Sequence, residues 1–275
     1  MQDVDSPVRA DGQIEAGRVS VVGNNSSPSS DRADVKQYGW LSRLRSYFIF
    51  DPLIWLYTVV FGIVSIPVSL FGDRERILHA FARGWSWLIM KTIQCPVKVT
   101  GLDKIDTSKT HVYAVNHASA MDIPVLYVYL PFRFRIIFKS ELLSYPIIGW
   151  HLRRSGQLSI NQQHPSRSVG SIRSALKGLK AGIPLVIFPE GGRTPDGEIK
   201  PFMAGAFFLA IKSKVDIVPV ALIGTFDLLP MNTYHIKSRP LEMRVGEPIP
   251  TAGYGLHDTE VLSAKVKSAM DKLYV

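Results

Sequence analysis

The chain has a single cysteine, Cys95, among its 275 residues. That count excludes an internal disulfide and a multi-cysteine metal site, and the thiol reads as a packing residue of a protein kept in a reducing compartment. No metal site is expected. Zinc-finger spacings, an aromatic RNA-binding signature and a block of consecutive basic residues are all missing, so no nucleic-acid partner is expected either. There is no Gly-x-Ser-x-Gly elbow, which argues against a serine hydrolase with Ser119 as nucleophile. Nor does a charged start lead into a short apolar core with a cleavage site, so no secretory signal is expected. No internal repeat is visible.

What is present is positive charge, unevenly placed. The formal net charge is +9, yet residues 1–50 carry six basic and six acidic side chains. The excess therefore belongs to the rest of the chain. A basic body suits anionic lipid or phosphate-bearing ligands.

Residues 1–46 are read as a polar tail. Its first 36 residues are rich in Asp, Ser, Asn and Gly, with a GNNSSPSS patch at Gly23 to Ser30. Too little apolar side chain is available there to offset the entropy of ordering, so disorder is expected. The character then changes. Leu53 to Phe71 runs for 19 residues without a formal charge, close to the roughly 20 needed to cross a bilayer. Pro67 interrupts it, and arginines flank both ends, so loop charge assigns no orientation. Arg74 to Gln94 follows with Ile77, Phe81, Trp85, Leu88 and Ile89 near one helical face. Residues 47–94 are thus expected to form a membrane-binding helical hairpin that lies on or dips into one leaflet; two buried core helices are the competing reading.

Residues 95–275 alternate strand and helix patterns. Candidate strands are Val97 to Thr100, His111 to Val115, Phe134 to Phe138, Gln157 to Ile160, Leu185 to Phe188, Ile217 to Leu222 and Leu241 to Val245. Such alternation implies an α/β fold with a mostly parallel central sheet of about seven strands flanked by helices.

Three stretches carry chemistry. In Val115 to Leu126, VNHASAMDIPVL, His117 and Asp122 stand five apart after a buried-looking strand. They cannot face each other if both are helical. They meet if the histidine stays in the loop and the aspartate opens a helix N-capped by Ser119. The imidazole can then take a proton from a hydroxyl while the carboxylate fixes its tautomer; an ordinary helix cap is the plainer reading. In FKSELLSYPIIGW, Lys139 and Glu141 form either a solvated pair or one wall of an apolar path. In IFPEGGRTPDGEIK, glycines and Arg193 follow a strand end, a phosphate site or a turn closed by a Glu190–Arg193 ion pair. A fourth block, Val218-Pro219-Val220, puts a proline inside a strand, which fits an edge or a bulge.

Together these blocks resemble the glycerolipid acyltransferase family, most closely its bacterial 1-acyl-sn-glycerol-3-phosphate acyltransferases. NHASAMD is similar to the family's Asn-His-x4-Asp block, FKSELLSYPIIGW to its Lys-x-Glu-Leu-x3-Pro block, and FPEGGRT to its Phe-Pro-Glu-Gly-Thr-Arg-Ser block. Gly192 stands where the family usually has threonine, Thr194 where it has serine, and Ile160-Asn161-Gln162 where it often has Ile-Asp-Arg. The resemblance implies His117 as general base and Asp122 as its partner. It implies a substrate site drawn from Asn116, Lys139, Glu190, Gly191 and Arg193, with the missing arginine's role either vacant or passed to Arg153, Arg154 or Arg167. No cofactor is implied beyond acyl-coenzyme A or acyl-carrier protein as co-substrate. The acceptor is a lysophospholipid, the partners are membrane lipids, and the place is the cytoplasmic face of the cell inner membrane. Acylation of glycerol 3-phosphate, of another lysolipid or of a lyso-ornithine lipid, and lipid binding without catalysis, are the rival readings. The sequence assigns no oligomeric state.

Overall fold

The computed structural model describes residues 39–161 and 163–275. Most of the expected polar tail therefore lies outside the described residues, but its last part is helical: α1 covers Trp40–Arg45 and a π-turn covers Ser46–Phe50. Helix α2, Asp51–Val68, continues directly from that turn. Pro52, in its first turn, has no N–H for the carbonyl four residues back and its ring crowds that carbonyl, and the wider π-turn absorbs the deficit. The continuous run Trp40–Val68 is the one described helix long and apolar enough to cross a membrane by length and composition.

Helix α3, Arg74–Ile93, turns back along α2, its N-cap supplied by Asp73, which accepts the Arg76 N–H at 3.1 Å. The two are tied by Tyr57 to Thr92 and by Trp85 Nε1 donating to Thr58 Oγ1, each at 3.1 Å. The hairpin is asymmetric. On α2, Trp55, Leu56, Val59, Val60, Ile63 and Val64 form a bare stripe at helical spacing, while α3 buries Leu78, Ile89, Met90 and Ile93 against the body. The two helices therefore differ: α2 presents an outward apolar face and α3 packs as a core helix.

All seven expected strands are present, as β1 (Val97–Thr100), β2 (Val112–Val115), β3 (Arg135–Lys139), β4 (Leu158–Ile160), β5 (Leu185–Ile187), β6 (Ile217–Ile223) and β7 (Leu241–Val245). Their spatial order is β1-β7-β6-β2-β5-β3-β4. Neighbours run parallel except β6 and β7, which are antiparallel. Helices α4 (Asp122–Tyr129) and α3 cover one face, where Tyr113, Val115, Val186, Val218 and Val220 point. Helices α6 (Val169–Lys180), α7 (Phe208–Ser213) and α9 (Thr259–Tyr274) cover the other, over Val112, Ala114, Leu185, Ile187 and Ile217. Burial on both faces explains why the central strands read as unbroken apolar runs.

Pro219 lies in a central strand, not at an edge. Its absent N–H faces β7 where the pairing slips by one residue, from Val220 opposite Val245 to Ile217 opposite Ile249. A bulge there removes the need for the missing donor. Cys95 is buried and receives the Arg239 N–H at 3.4 Å, a packing residue as expected.

Candidate functional site

The carboxyl ends of β2, β3 and β5 converge at the middle of the sheet, where α/β folds place their ligands. Register does the assembling. Val112 pairs with Leu185 and Ala114 with Ile187, so continuing both strands three residues sets His117 opposite Glu190. The His117 N–H donates to Glu190 Oε1 at 2.7 Å, and the His117 carbonyl accepts the Thr194 N–H at 2.9 Å. The loop after β5 thus grips the histidine's backbone from both sides.

The imidazole is held separately. Its Nδ1 lies 2.8 Å from Asp122 Oδ2. The same oxygen accepts the N–H groups of Ala118 and Ser119 at 2.8 and 2.9 Å. Asp122 is fully buried, whereas the His117 side chain keeps 19% of its surface exposed. A carboxylate can only accept, so Nδ1 carries the proton and Nε2 is left with a lone pair. Phe188 stacks on the ring, with centroids 4.1 Å apart and planes 22° from parallel. The histidine therefore stays in the loop and the aspartate opens α4. Ser119 does not cap that helix: its hydroxyl accepts the Met121 N–H at 3.2 Å and donates to the Leu229 carbonyl at 2.8 Å. The N–H groups of Ala118 and Ser119 are taken by Asp122, so neither is open to a ligand at this turn.

Asn116 spends its amide on the sheet. Its Nδ2 donates to the Leu222 carbonyl at 3.0 Å and its Oδ1 accepts the Leu222 N–H at 2.7 Å, extending the β2–β6 ladder by one side chain. Glu190 is likewise occupied, since Oε2 accepts the Lys200 N–H at 2.9 Å. No Glu190–Arg193 ion pair forms. Burial raises the Glu190 carboxyl above its ordinary range, partly offset by the two N–H donors from Lys200 and His117.

The groove's cations remain. Lys139, at the end of β3, has its Nζ 3.2 Å from where a Cβ on Gly192 would stand. A threonine there would press on the ammonium, so glycine at 192 lets the lysine lie over the loop. Gly191 takes φ 71°, and its N–H closes the turn onto Phe188 O at 3.0 Å. Among the described residues the Arg193 guanidinium, the Lys139 ammonium and the N–H groups of Gly192 and Arg193 have no partner. Lys200 Nζ donates to the Arg193 carbonyl at 3.0 Å. Lys200 did not stand out in the sequence as a site residue, and Thr194 did so only as a departure from the family's serine, although Pro195-Asp196-Gly197 is a readable turn signal. Asp196 accepts the Thr194 hydroxyl at 2.5 Å and the Glu198 N–H at 3.1 Å.

Residues 96–223 match the family model described as Acyltransferase. The chain carries an acyltransferase-family domain over that stretch. It is 31% identical over 194 residues to the chloroplastic 1-acyl-sn-glycerol-3-phosphate acyltransferase LPAT1 of Arabidopsis thaliana, covering 69% of this chain and 54% of that protein. It is 29% identical over 210 residues to 1-acyl-sn-glycerol-3-phosphate acyltransferase alpha of Homo sapiens, covering 76% and 74%. The chain spans 50 to 62% of the length of the first three curated relatives it matches. The 1-acyl-sn-glycerophosphate acyltransferase PlsC of Thermotoga maritima shares the fold, with a TM-score of 0.67, 24% identity, and coverage of 85% of this chain and 93% of that one.

Two further expectations meet the geometry here. Glu141 makes no ion pair with Lys139. The segment beyond it ends in a tight turn in which Ile148 N–H reaches Pro146 O at 2.6 Å, with Ile147 at φ 64°. Of the arginines proposed to replace the family's own, Arg153 donates to the Leu143 carbonyl at 2.7 Å and Arg154 stacks over Trp150 at 5.1 Å. Arg167 is exposed, and Gln162 lies outside the described residues.

Proposed function

We propose that this acyltransferase moves a fatty acyl group from an acyl thioester, of coenzyme A or acyl-carrier protein, to the free hydroxyl of 1-acyl-glycerol 3-phosphate, giving phosphatidic acid. The observation that carries the reading is the 2.8 Å contact between His117 Nδ1 and buried Asp122 Oδ2, which leaves Nε2 as the open base. An acyl thioester is already activated. The site need only align an alcohol and take its proton during attack on the carbonyl, which positioning and general-base help accomplish without an acyl-enzyme. His117 removes the proton, the alkoxide forms the ester bond, and the carbon–sulfur bond breaks as the thiolate leaves and takes up the proton held on Nε2.

Arg193 and Lys139 bind the acceptor's phosphate, since Arg193 belongs to the loop that grips His117, Lys139 Nζ lies over that loop at Gly192, and neither cation has a partner among the described residues. The N–H groups of Gly192 and Arg193 are the donors for the developing oxyanion or a phosphate oxygen. Asn116 and Glu190 act behind the site as positioning residues. The bare stripe on α2 supports a monotopic enzyme on the cytoplasmic face of the cell inner membrane, drawing its acceptor from the bilayer.

The test is thiol release from acyl-coenzyme A and acyl-carrier protein by protein in liposomes, with and without lysophosphatidic acid, beside His117→Ala. The expected result is acceptor-dependent release, lost in the mutant, with phosphatidic acid formed. Release without acceptor would sink the transferase reading in favour of a thioesterase. Activity only with a different lysolipid would move the substrate and keep the base.

A further inference from the structure

Bare apolar side chains are not confined to α2. The loop from Leu229 to Pro240, between α8 (Thr225–Leu228) and β7, is stitched onto the first turns of the N-terminal helix. Ser46 Oγ donates to the Tyr234 carbonyl at 3.1 Å and accepts the Ile236 N–H at 2.8 Å. Ser42 Oγ lies 3.1 Å from His235 Nε2, and Arg45 reaches the Ser238 hydroxyl at 3.3 Å. Ser46 and Ile236 are buried, so these bonds fix the loop to the helix. Tyr234 itself stays 75% exposed, as do Phe48 at 74% and Trp40 at 69%.

The charge of this patch has one sign. Residues 39–50 hold Arg43 and Arg45 and no acid; residues 228–240 hold Lys237 and Arg239 and no acid. Asp227, just outside, is taken by Arg239 at 2.7 Å. Exposed aromatics set among cations are what a headgroup layer of anionic lipid accepts, since the rings suit the interface and each cation is attracted to the surface potential. An aqueous surface gains nothing from Tyr234, Phe48 and Trp40 held in the open.

We propose that the Thr233–Tyr234 tip and the exposed face of Trp40–Ile49 form a second membrane contact, made partly by the acyltransferase domain itself and seated on an anionic leaflet. The inference rests on the membrane-associated reading above and adds to the helix Trp40–Val68 a contact made by the Leu229–Pro240 loop. Its root lies at the catalytic turn. Leu229, where the loop begins, accepts the Ser119 hydroxyl at 2.8 Å, and the Lys237 N–H closes the loop's base onto Leu228 O at 2.8 Å. One short segment thus joins the turn that carries His117 to the surface that meets the lipid.

Cys95 is buried, so Tyr234→Cys in the full chain adds the one accessible thiol, and an environment-sensitive fluorophore is placed there. Phosphatidylcholine vesicles with phosphatidylglycerol should shift its emission to the blue and allow quenching by brominated acyl chains. Arg43→Gln should weaken binding to those vesicles roughly five-fold, the loss expected for one cation near such a surface. Emission that stays aqueous while the protein sediments with the vesicles overturns this contact and leaves the membrane reading standing. A protein that sediments with no vesicle overturns both. Thr233→Cys, with folding checked by circular dichroism, gives the same readout if Tyr234→Cys fails to fold.

Discussion

Two loops meet at the carboxyl end of the sheet, and each is organised by one carboxylate, fully buried at Asp122 and half-buried at Glu190. Asp122 gathers its own turn: two backbone N–H groups and one imidazole, all within five residues. Glu190 reaches outward, joining the backbone of His117 to that of Lys200 across the groove. One carboxylate sets a side chain's tautomer and the other sets where two loops stand. The difference assigns chemistry to the first and architecture to the second, and substitutions can separate them.

The largest effect is expected at Asp122→Asn. The amide oxygen can keep all three donors, but a neutral group no longer stabilises the imidazolium that forms when His117 takes the proton, and its NH2 would stand buried where Oδ1 has no partner. Turnover should fall about 10²–10⁴-fold, the range for losing a positioned general base, with acceptor KM little changed. Steady-state kinetics in liposomes measures both. Turnover close to wild type would erase the distinction between the two loops. Glu190→Gln comes next and should move the other readout. Its amide nitrogen cannot accept the Lys200 N–H, and leaving that donor unmet costs about 1–3 kcal/mol of stability, read by chemical denaturation. Turnover should drop several-fold at most. A loss as deep as that of Asp122→Asn would place Glu190 in the chemistry.

Arg193→Ala probes what the second loop presents. Losing a charge-assisted contact to phosphate should raise acceptor KM roughly ten- to hundred-fold, with kcat nearly kept. A KM that does not move would argue for an acceptor without phosphate.

Much of this arrangement was legible because each motif follows a strand whose apolar run is unmistakable. His117, Lys139 and Glu190 could each be assigned to a strand end, and the shared end of a parallel sheet does the rest. What spacing does not carry is register. That Ala114 stands beside Ile187, and so His117 opposite Glu190, depends on pairing between strands about seventy residues apart. Without it, Glu190 reads as a ligand-binding acid and Asn116 as a substrate contact, whereas both are committed to backbone. The hairpin was half legible for a similar reason: hydropathy marks α2, but only packing separates the bare helix from the core helix beside it. Gly62 illustrates this. A Cβ there would fall 2.0 Å from Ile147 Cγ2, so the outward helix docks closely on the Lys139–Ile148 segment through a glycine that reads in sequence as one more small apolar residue.

The smallest effect is a pH dependence, and it isolates Glu190. Burial raises its carboxyl above the ordinary value of 4.5. The folded state therefore holds that proton to higher pH than the unfolded chain does, and this contribution favours folding as pH falls through the folded value toward 4.5. Two histidines, His79 buried and His151 half-buried, act in the opposite direction. His79 and His151 are each pulled from 6.5 to about 4, chiefly by burial. Their contribution is present above 6.5 and is lost as pH falls from there toward 4. The raw stability profile of the protein mixes these terms. The difference between wild type and Glu190→Gln does not, because both histidines are common to the two proteins. The glutamine variant's deficit should accordingly widen as pH is lowered from neutrality, measured by denaturant midpoints at each pH. A deficit that narrows instead would mean that the two N–H donors outweigh burial, making Glu190 a second Asp122 and dissolving the contrast between the loops.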